Sequence, residues 1–276
     1  MVLAAAKFFT PGFMPTPEQE AAFFSSLRLG NGVFKTTADR RLDDLNALMF
    51  GEWAKTGFRP SRVLDVGVSS GVSSVEWIEA LRAAGFDASM LATDLSLHGY
   101  LLQLAPLYRV LADAAYAPLQ HAIFGVPLRP WRRRIDYLTG MAVVSAALNT
   151  LFGALRRRAA ASGQGVLLVS RRAQDNPHLE FAQEDILAPP SADRRFDAIR
   201  AANILNLEYF AEPQLRSAVA GLKQRLAGAG SYLAINRTHQ DGSNRGSLFR
   251  LGEDGRFRCV ARLGDGSEIE RLVLRG

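Results

Sequence analysis

Apolar residues near the start of the chain recur every three or four positions, which is the spacing of amphipathic helices. The pattern predicts one helix over residues 17–27, where Thr16, Pro17 and Gln19 supply an N-cap, a first-turn proline and a capping-box partner. It predicts a second helix in the segment TADRRLDDLNALMFGEWAKTG, residues 37–57, which places Leu42, Leu45 and Met49 on one face and which Gly57 is suited to end. Two helices therefore precede the first strand.

Short, uninterrupted apolar runs follow, as expected for strands buried on both faces of a parallel sheet. The runs RVLDVGV and ASMLATDLS flank the helical segment SSVEWIEALRAAG, and together they make a strand–helix–strand unit. Further candidate strands are GVLLVS, HLEFAQEDIL, RFDAIRAANIL and SYLAINRT. After Ser247, two Asp-Gly turns between alternating segments predict a closing antiparallel hairpin. The predicted fold class is therefore α/β, with a mostly parallel sheet.

The first strand leads into a turn rich in glycine and serine, VLDVGVSSGVSS. Gly67 and Gly71 carry no Cβ, so the backbone there can approach a ligand closely. The dinucleotide fingerprint would need glycine where the chain has Ser69 and Val72, so NAD is not expected. Asp65, two residues before Gly67, suits a ligand with a cationic amino-acid end, because a carboxylate accepts hydrogen bonds from an ammonium group.

The segment LDVGVSSG resembles motif I of class I S-adenosylmethionine-dependent methyltransferases, with Ser69 in place of the middle glycine. In that family an acidic residue closing the second strand binds the ribose hydroxyls. Asp94 stands at that position, and a carboxylate can accept two hydrogen bonds from a vicinal diol. Asp185, followed by Ile186, matches the family's acidic residue that contacts the adenine amine. FDAIRAANILNLEYF resembles the segment that flanks the reacting methyl group, so the resemblance covers residues 62–238 apart from an insertion.

The resemblance implies a Rossmann-like class I methyltransferase fold with a seven-stranded sheet, and S-adenosyl-L-methionine as the cofactor. It assigns cofactor binding to Asp65, Gly67, Val68, Ser69, Gly71, Asp94, Leu95, Asp185, Ile186 and Asn203. Each of these residues also has a structural interpretation, because aspartates cap loops and glycines form turns. The order and register of the matches favour the cofactor site.

A sulfonium cofactor carries an activated methyl group, so the protein mainly has to align the acceptor and exclude water. If the acceptor must lose a proton, the catalytic candidates are His98, Tyr100 and Asn206, although a lone histidine is more often structural. Asn203 and Asn206 differ from the Asn-Pro-Pro-aromatic signature of family members that methylate amide or base nitrogens. This difference disfavours adenine or glutamine as the acceptor and leaves O-, N- and C-methylation of other acceptors open. We expect O- or N-methylation of a small, hydrophobic or amphiphilic acceptor. The alternatives are a protein or RNA methyltransferase and a non-catalytic cofactor-binding module that docks on a partner or membrane.

A long insertion separates Asp94 from Val166, where the family usually needs one crossover helix. Its segment IDYLTGMAVVSAALNTLFGAL is largely apolar and is bracketed by arginine triplets. Spanning a bilayer is not expected, because the segment interrupts the sheet and contains Asp136 and Asn149. We expect a helical insertion at residues 98–163 that serves as a lid, is buried in an extended core or a homodimer contact, or makes a peripheral membrane contact.

The predicted domains are an N-terminal helical cap over residues 1–58 and a methyltransferase domain over residues 59–276 that carries the insertion. A chain of 276 residues with 48% hydrophobic residues can bury one sizeable core. The net charge of +6 is modest and lies mainly in arginine clusters. No basic strand interleaved with aromatic residues accompanies it, so nucleic acid is not expected as a partner.

Cys259 is the single cysteine of the sequence. It excludes an intramolecular disulfide framework and a cysteine-based zinc site, so no metal is expected, and it fits a reducing compartment. No basic segment precedes the first apolar residues, and prolines interrupt them. We therefore expect a cytoplasmic protein.

Overall fold

The computed structural model describes residues 2–29, 32, 34–35, 40–160, 163–189 and 194–276. Its residues divide into two compact units. The first unit combines residues 1–37 with residues 96–171, and the second combines residues 38–95 with residues 172–276. The longer segment of the first unit therefore interrupts the second unit in sequence.

Helices and strands are numbered in chain order. The helices are α1 (Ala5–Phe8), α2 (Pro17–Ser26), α3 (Asp43–Thr56), α4 (Val72–Ala83), α5 (Arg134–Leu138), α6 (Met141–Ala160), α7 (Arg171–Gln174), α8 (Glu212–Gln224) and α9 (Glu270–Arg275). The strands are β1 (Arg62–Val66), β2 (Ser89–Asp94), β3 (His98–Ala105), β4 (Tyr108–Asp113), β5 (Pro118–Ile123), β6 (Val126–Leu128), β7 (Gln164–Leu167), β8 (Leu179–Gln183), β9 (Ala198–Ala202), β10 (Tyr232–Thr238), β11 (Asn244–Leu251) and β12 (Phe257–Leu263).

Both helices predicted before the first strand are confirmed. The capping box of α2 is formed, since the Gln19 N–H donates to Thr16 Oγ1 at 3.3 Å and the Thr16 N–H donates to Gln19 Oε1 at 3.0 Å. The second predicted helix is α3, which ends at Gly57 with a left-handed φ of 66°.

The second unit is built on a seven-stranded sheet with the strand order β12-β11-β10-β9-β1-β2-β8. Strands β10, β9, β1, β2 and β8 pair in parallel, while β11 is antiparallel to both of its neighbours. The predicted mostly parallel sheet with a closing antiparallel hairpin is confirmed. All five residues of β9 are buried, as expected of a central parallel strand.

Helices cover both faces of this sheet. Successive residues of a strand point to opposite faces, and Val63 and Leu64 of β1 accordingly belong to different cores. Val63 shares its core with Trp53 of α3 and Trp77 of α4. Leu64 shares its core with Leu215 and other residues of α8. The second unit is therefore a layered α/β structure.

The first unit is built on a five-stranded antiparallel sheet with the order β6-β5-β4-β3-β7. Phe8 of α1 and Phe23 of α2 stack with ring centroids 4.1 Å apart and share a core with Leu111 of β4. The neighbouring Val110 faces the other way and shares a core with Phe152 of α6. Both faces of this sheet are therefore covered by helices.

The prediction of a helical insertion at residues 98–163 is wrong for residues 98–128. Residues 98–128 contain β3, β4, β5 and β6, and the helices follow in α5 and α6. Because both sheet faces are covered, these strands carry apolar residues at successive positions and lose the alternation that marks a half-buried strand. The segment GVLLVS, proposed above as one of a series of core strands, contributes β7, which pairs with β3 in the first unit.

The N-terminal helices also divide between the two units. The predicted cap over residues 1–58 grouped α1 and α2 with α3. In the structure, α1 and α2 share a core with β4 and β5, whereas α3 packs in the core of the second unit with β1 and α4. The apolar faces of α2 and α3 are thus buried against different sheets. Among the described residues, no helix combines the length and the apolar character needed to cross a bilayer.

Candidate functional site

The turn between β1 and α4 holds three residues in the left-handed region. The φ angle is 74° at Gly67, 55° at Ser69 and 78° at Gly71. The Gly67 N–H donates to Thr93 O at 2.8 Å, and the Gly71 N–H donates to Val68 O at 2.8 Å. Gly71 is also the N-cap residue of α4, so the positive end of that helix lies directly beside the turn. Acceptor groups of a ligand are favoured there.

Neighbouring side chains approach both glycines closely. A Cβ on Gly67 would lie 2.9 Å from Ile204 Cδ1, and a Cβ on Gly71 would lie 3.2 Å from Ala173 Cβ and 3.3 Å from Phe181 Cε1. The absence of a Cβ at these two positions was attributed above to the close approach of a ligand. In the structure, the glycines also allow the loop after β9 and strand β8 to pack against the turn.

Asp94 and the turn after β1 are in direct contact. The Ser69 N–H donates to Asp94 Oδ2 at 2.7 Å, so the carboxylate that closes β2 holds the left-handed turn in place. Val68 is buried and Leu95 is 56% exposed. The structure therefore brings together the motif I turn and the carboxylate that the resemblance assigns to the ribose.

Asp65 is buried in an ion pair with Arg200. Arg200 lies opposite Asp65 in the β1–β9 register, and it donates from Nε to Oδ1 at 3.0 Å and from Nη2 to Oδ2 at 2.6 Å. Ser74 Oγ donates to Oδ2 at 2.7 Å. Protein donors therefore engage both carboxylate oxygens, and Asp65 links β1 to β9 and α4.

Arg200 itself makes further contacts inside the second unit. Its guanidinium carbon lies 4.3 Å from the Trp77 ring centroid, and Nη1 donates to Asn46 Oδ1 at 3.1 Å. Arg41 lies close enough for its pKa to be affected: burial and the positive charge of Arg200 lower the pKa of Arg41. Arg200 is thus the centre of a buried polar cluster.

Arg200 was not among the functional residues predicted from the sequence. A usable signal was present, because an arginine inside an apolar core strand requires a buried partner, and Asp65 lies in another core strand. The strand pairing that joins the two residues was the missing information.

Asp185 and Ile186 follow β8. Asp185 Oδ1 accepts a hydrogen bond from the Leu187 N–H at 2.9 Å, and its carbonyl accepts one from the Ala188 N–H at 3.0 Å, so Asp185 caps a turn. Ile186 packs against the core that contains α8. Both residues line a cavity of about 210 Å³, together with Thr93 and residues of α8. Asp185 therefore both caps this turn and lines a cavity that is open to a ligand.

Asn203 and Asn206 organise the loop after β9. Asn203 has a φ of 63°, and its Oδ1 accepts a hydrogen bond from the Thr238 N–H at 2.6 Å. Asn206 is 2% exposed, and its Oδ1 accepts hydrogen bonds from the N–H groups of Glu208 and Tyr209 at 3.1 and 3.0 Å. Both amides therefore hold loop conformation.

His98 and Tyr100, the other two catalytic candidates, belong to the first unit. His98 begins β3 and is exposed. The Tyr100 ring stacks on Tyr116 at a centroid distance of 4.9 Å with an interplanar angle of 2°. All of the cofactor candidates belong to the second unit.

The strand order places the cofactor candidates together at the carboxyl ends of the parallel strands. The chain runs from β1 to β2 and β8 on one side and then returns to β9 on the other, so the sheet has a topological switch point beside β1. In parallel α/β sheets, ligands bind beyond the carboxyl ends of the strands at such a point. Here those ends carry the Gly67–Gly71 turn, Asp94, Asp185 and Asn203. Among the described residues, no group of His, Cys, Asp and Glu is placed to hold a metal ion.

No protein-family model and no curated protein matches the chain. It is similar to the structure of SAM-bound CalS10, an amino pentose methyltransferase from Micromonospora echinaspora, at 14% identity over 79% of this chain and 66% of that chain, with a TM-score of 0.37. It is also similar to the N-methyltransferase NodS from Bradyrhizobium japonicum WM9 in complex with S-adenosyl-l-homocysteine, at 13% identity over 74% of this chain and 65% of that chain, with a TM-score of 0.34.

A third similar structure is an O-methyltransferase family protein from Burkholderia thailandensis, at 11% identity over 72% of this chain and 41% of that chain, with a TM-score of 0.32. The chain spans less than two thirds of the length of each of these three proteins. All three proteins are described as methyltransferases. At these identities and TM-scores, the similarity says nothing about the acceptor of this chain.

Proposed function

We propose that the chain is an S-adenosylmethionine-dependent methyltransferase that acts on the oxygen or nitrogen of a small, hydrophobic or amphiphilic acceptor. The observation that carries the proposal is the left-handed turn from Gly67 to Gly71 at the switch point, held by the Asp94 carboxylate at the end of the next strand. A turn of this kind lets the protein backbone approach a ligand closely, and the neighbouring helix N-terminus favours acceptor groups of that ligand.

The residues of the second unit have distinct proposed roles toward the cofactor. Asp94 would hold the ribose, since a carboxylate can accept two hydrogen bonds from a vicinal diol. The amino end of α4, beside Gly71, would hold the carboxylate of the methionine part, and Asp185 and Ile186 would hold the adenine. Asp65 supports the turn through Arg200 and Ser74.

When bound, the cofactor supplies an activated methyl group, so the residues around it need to orient the acceptor and exclude water. A base is required only for an acceptor that reacts after losing a proton. His98 is the proposed base, because its side chain is exposed and imidazole is the side chain that most often takes a proton in general base catalysis. Tyr100 and Asn206 remain weaker candidates, since Tyr100 is stacked on Tyr116 and Asn206 holds its own loop.

The test is transfer of a labelled methyl group to a panel of hydrophobic alcohols and amines. We expect product with the wild-type protein and about tenfold less, or lower still, with Asp94→Ala, because hydrogen bonds to a charged group are lost. His98→Gln should lower the rate without weakening cofactor binding. Labelled protein or RNA instead of small product would favour the alternative methyltransferases, and cofactor binding without any product would favour a non-catalytic module.

A further inference from the structure

Helices α5 and α6 of the first unit expose several apolar side chains, here called the α5–α6 surface. Its most exposed members are Leu138 at 89%, Val143 at 73%, Tyr137 at 66% and Ile135 at 60%, and it also includes Val144 and Leu151. Val143, Ala147, Leu151 and Ala154 follow one another at intervals of three or four residues, so they share one face of α6. Leu148 and Phe152 point the other way into the core of the first unit.

Positive charge brackets the α5–α6 surface. Arg132, Arg133 and Arg134 precede or begin α5, and Arg156 and Arg157 lie near the end of α6, all of them exposed. In the sequence from residue 114 to residue 174, Asp136 is the single acidic residue. Its side chain is buried and accepts hydrogen bonds from Arg129 Nη2 at 2.9 Å and from the Arg133 N–H at 2.6 Å. Asp136 therefore adds no exposed negative charge.

Trp131 stands at the N-terminal side of this surface. The guanidinium carbons of Arg129 and Arg133 lie 4.8 and 5.0 Å from its ring centroid, and its indole N–H donates to Ser26 O at 3.2 Å. Tryptophan with flanking arginines is typical of the interfacial region of a bilayer, where an aromatic ring and a cation both find favourable surroundings.

We propose that the α5–α6 surface binds the surface of a membrane that contains anionic phospholipids. In this arrangement α6 lies in the plane of the membrane, its apolar face enters the boundary between headgroups and acyl chains, and the arginines contact lipid phosphates. The helix keeps its backbone hydrogen bonds, so entry into the interface leaves no backbone group unpaired.

The two arginine clusters favour an anionic membrane over a second copy of the chain as the partner of the α5–α6 surface. In an antiparallel two-fold contact through α6, the arginines before α5 would face those near the end of α6, and in a parallel contact each cluster would face itself. Both arrangements juxtapose like charges across the interface, which is costly when water is excluded. An anionic surface compensates both clusters at once.

The experiment is sedimentation of the full chain with vesicles of phosphatidylcholine alone and of phosphatidylcholine mixed with phosphatidylglycerol. We expect binding to the anionic vesicles that weakens as salt is added. Arg156→Gln with Arg157→Gln should reduce the affinity about thirtyfold, because each arginine near an anionic surface contributes about fivefold. Arg271→Gln with Arg275→Gln, at exposed positions in α9, is the matched control and should leave binding unchanged.

The contribution of the apolar side chains to vesicle binding is tested with Leu138→Asp and Val143→Asp. The controls are Met14→Asp and Leu274→Asp, at exposed apolar positions outside the α5–α6 surface. Loss of vesicle binding in the first pair alone supports the proposal, with circular dichroism confirming that all variants are folded. Equal binding by all variants, or no binding to anionic vesicles, overturns it. A dimer in solution that Leu138→Asp disrupts, without vesicle binding, would assign the surface to a second copy instead.

Discussion

At Gly67, backbone conformation and side-chain packing impose separate requirements. Its left-handed φ disfavours any residue with a Cβ, and Ile204 leaves no room for one. We predict that Gly67→Ala lowers the free energy of unfolding by about 2–3 kcal/mol, of which about 1–2 kcal/mol comes from the left-handed conformation. Urea denaturation measures this loss.

Gly85 provides the control for that substitution. It has a φ of 79°, close to that of Gly67, but a Cβ there would meet nothing within 4 Å. Gly85→Ala should therefore lose about 1–2 kcal/mol from conformation alone. Equal losses at the two positions would show that contact with Ile204 contributes nothing to the turn.

Arg200 and Asp65 form a buried charge pair, and removal of one partner leaves the other uncompensated. We predict that Arg200→Met destabilises the protein by about 3–5 kcal/mol, and that Asp65→Asn combined with Arg200→Met costs less than the sum of the two single changes. A double-mutant cycle by urea denaturation measures the coupling. Additive losses would contradict a direct interaction between the two side chains.

Single residues differed in how far the sequence could predict their roles. The pattern around Asp94 and Gly67 was sufficient to place them at neighbouring strand ends, and the Ser69–Asp94 hydrogen bond agrees with that placement. The roles assigned to Asp65 as a ligand and to Asn206 as a catalytic group remain predictions, although the structure gives both side chains protein partners. Those partners lie on other strands and loops, so local sequence could not indicate them.

At the scale of elements, the predictions held where the hydrophobic period was clear. The helix α3 ends at Gly57, and the parallel strands of the second unit follow uninterrupted apolar runs. The strands β3 to β6 were missed because residues such as Leu101 and Leu102 are apolar in succession, each belonging to a different face of the sheet. Such a segment cannot be distinguished from a buried helix by periodicity.

His121 joins strand β5 to helix α6. The Asn149 amide nitrogen donates to Pro130 O, so Asn149 Oδ1 accepts from His121 Nε2 at 2.8 Å, while the Tyr108 hydroxyl lies 3.0 Å from His121 Nδ1 and donates to Leu148 O at 3.3 Å. Burial lowers the pKa of His121 and raises the pKa of Tyr108 to about 12.

The lowered pKa of His121 makes the stability of the first unit depend on pH. Below about pH 6.5 the unfolded chain binds a proton at this histidine that the folded chain does not, so the free energy of unfolding falls as the pH decreases. We predict a loss of at most about 1.4 kcal/mol per pH unit between pH 6.5 and 5.5 by urea denaturation. His121→Gln should reduce this dependence, and an unchanged slope would contradict the assignment.

At the scale of the whole chain, the two units differ in how their charge and chemistry are distributed. The second unit carries all the cofactor candidates, whereas the first carries the α5–α6 surface, His98 and Tyr100. Sequence analysis indicated the insertion from its length and its arginine triplets. It could not indicate that residues 1–37 join the insertion, because that association depends on contacts between segments distant in sequence.

The central claim is that the second unit binds S-adenosylmethionine, and titration calorimetry tests it most directly. We predict that the wild-type protein and Asp175→Ala, an exposed control aspartate, bind S-adenosylmethionine and S-adenosylhomocysteine equally well. Asp94→Asn keeps an acceptor for the Ser69 N–H but lacks the second carboxylate oxygen, so its affinity should fall about tenfold or more. Absence of binding to the wild-type protein, or unchanged affinity in Asp94→Asn, would contradict the account.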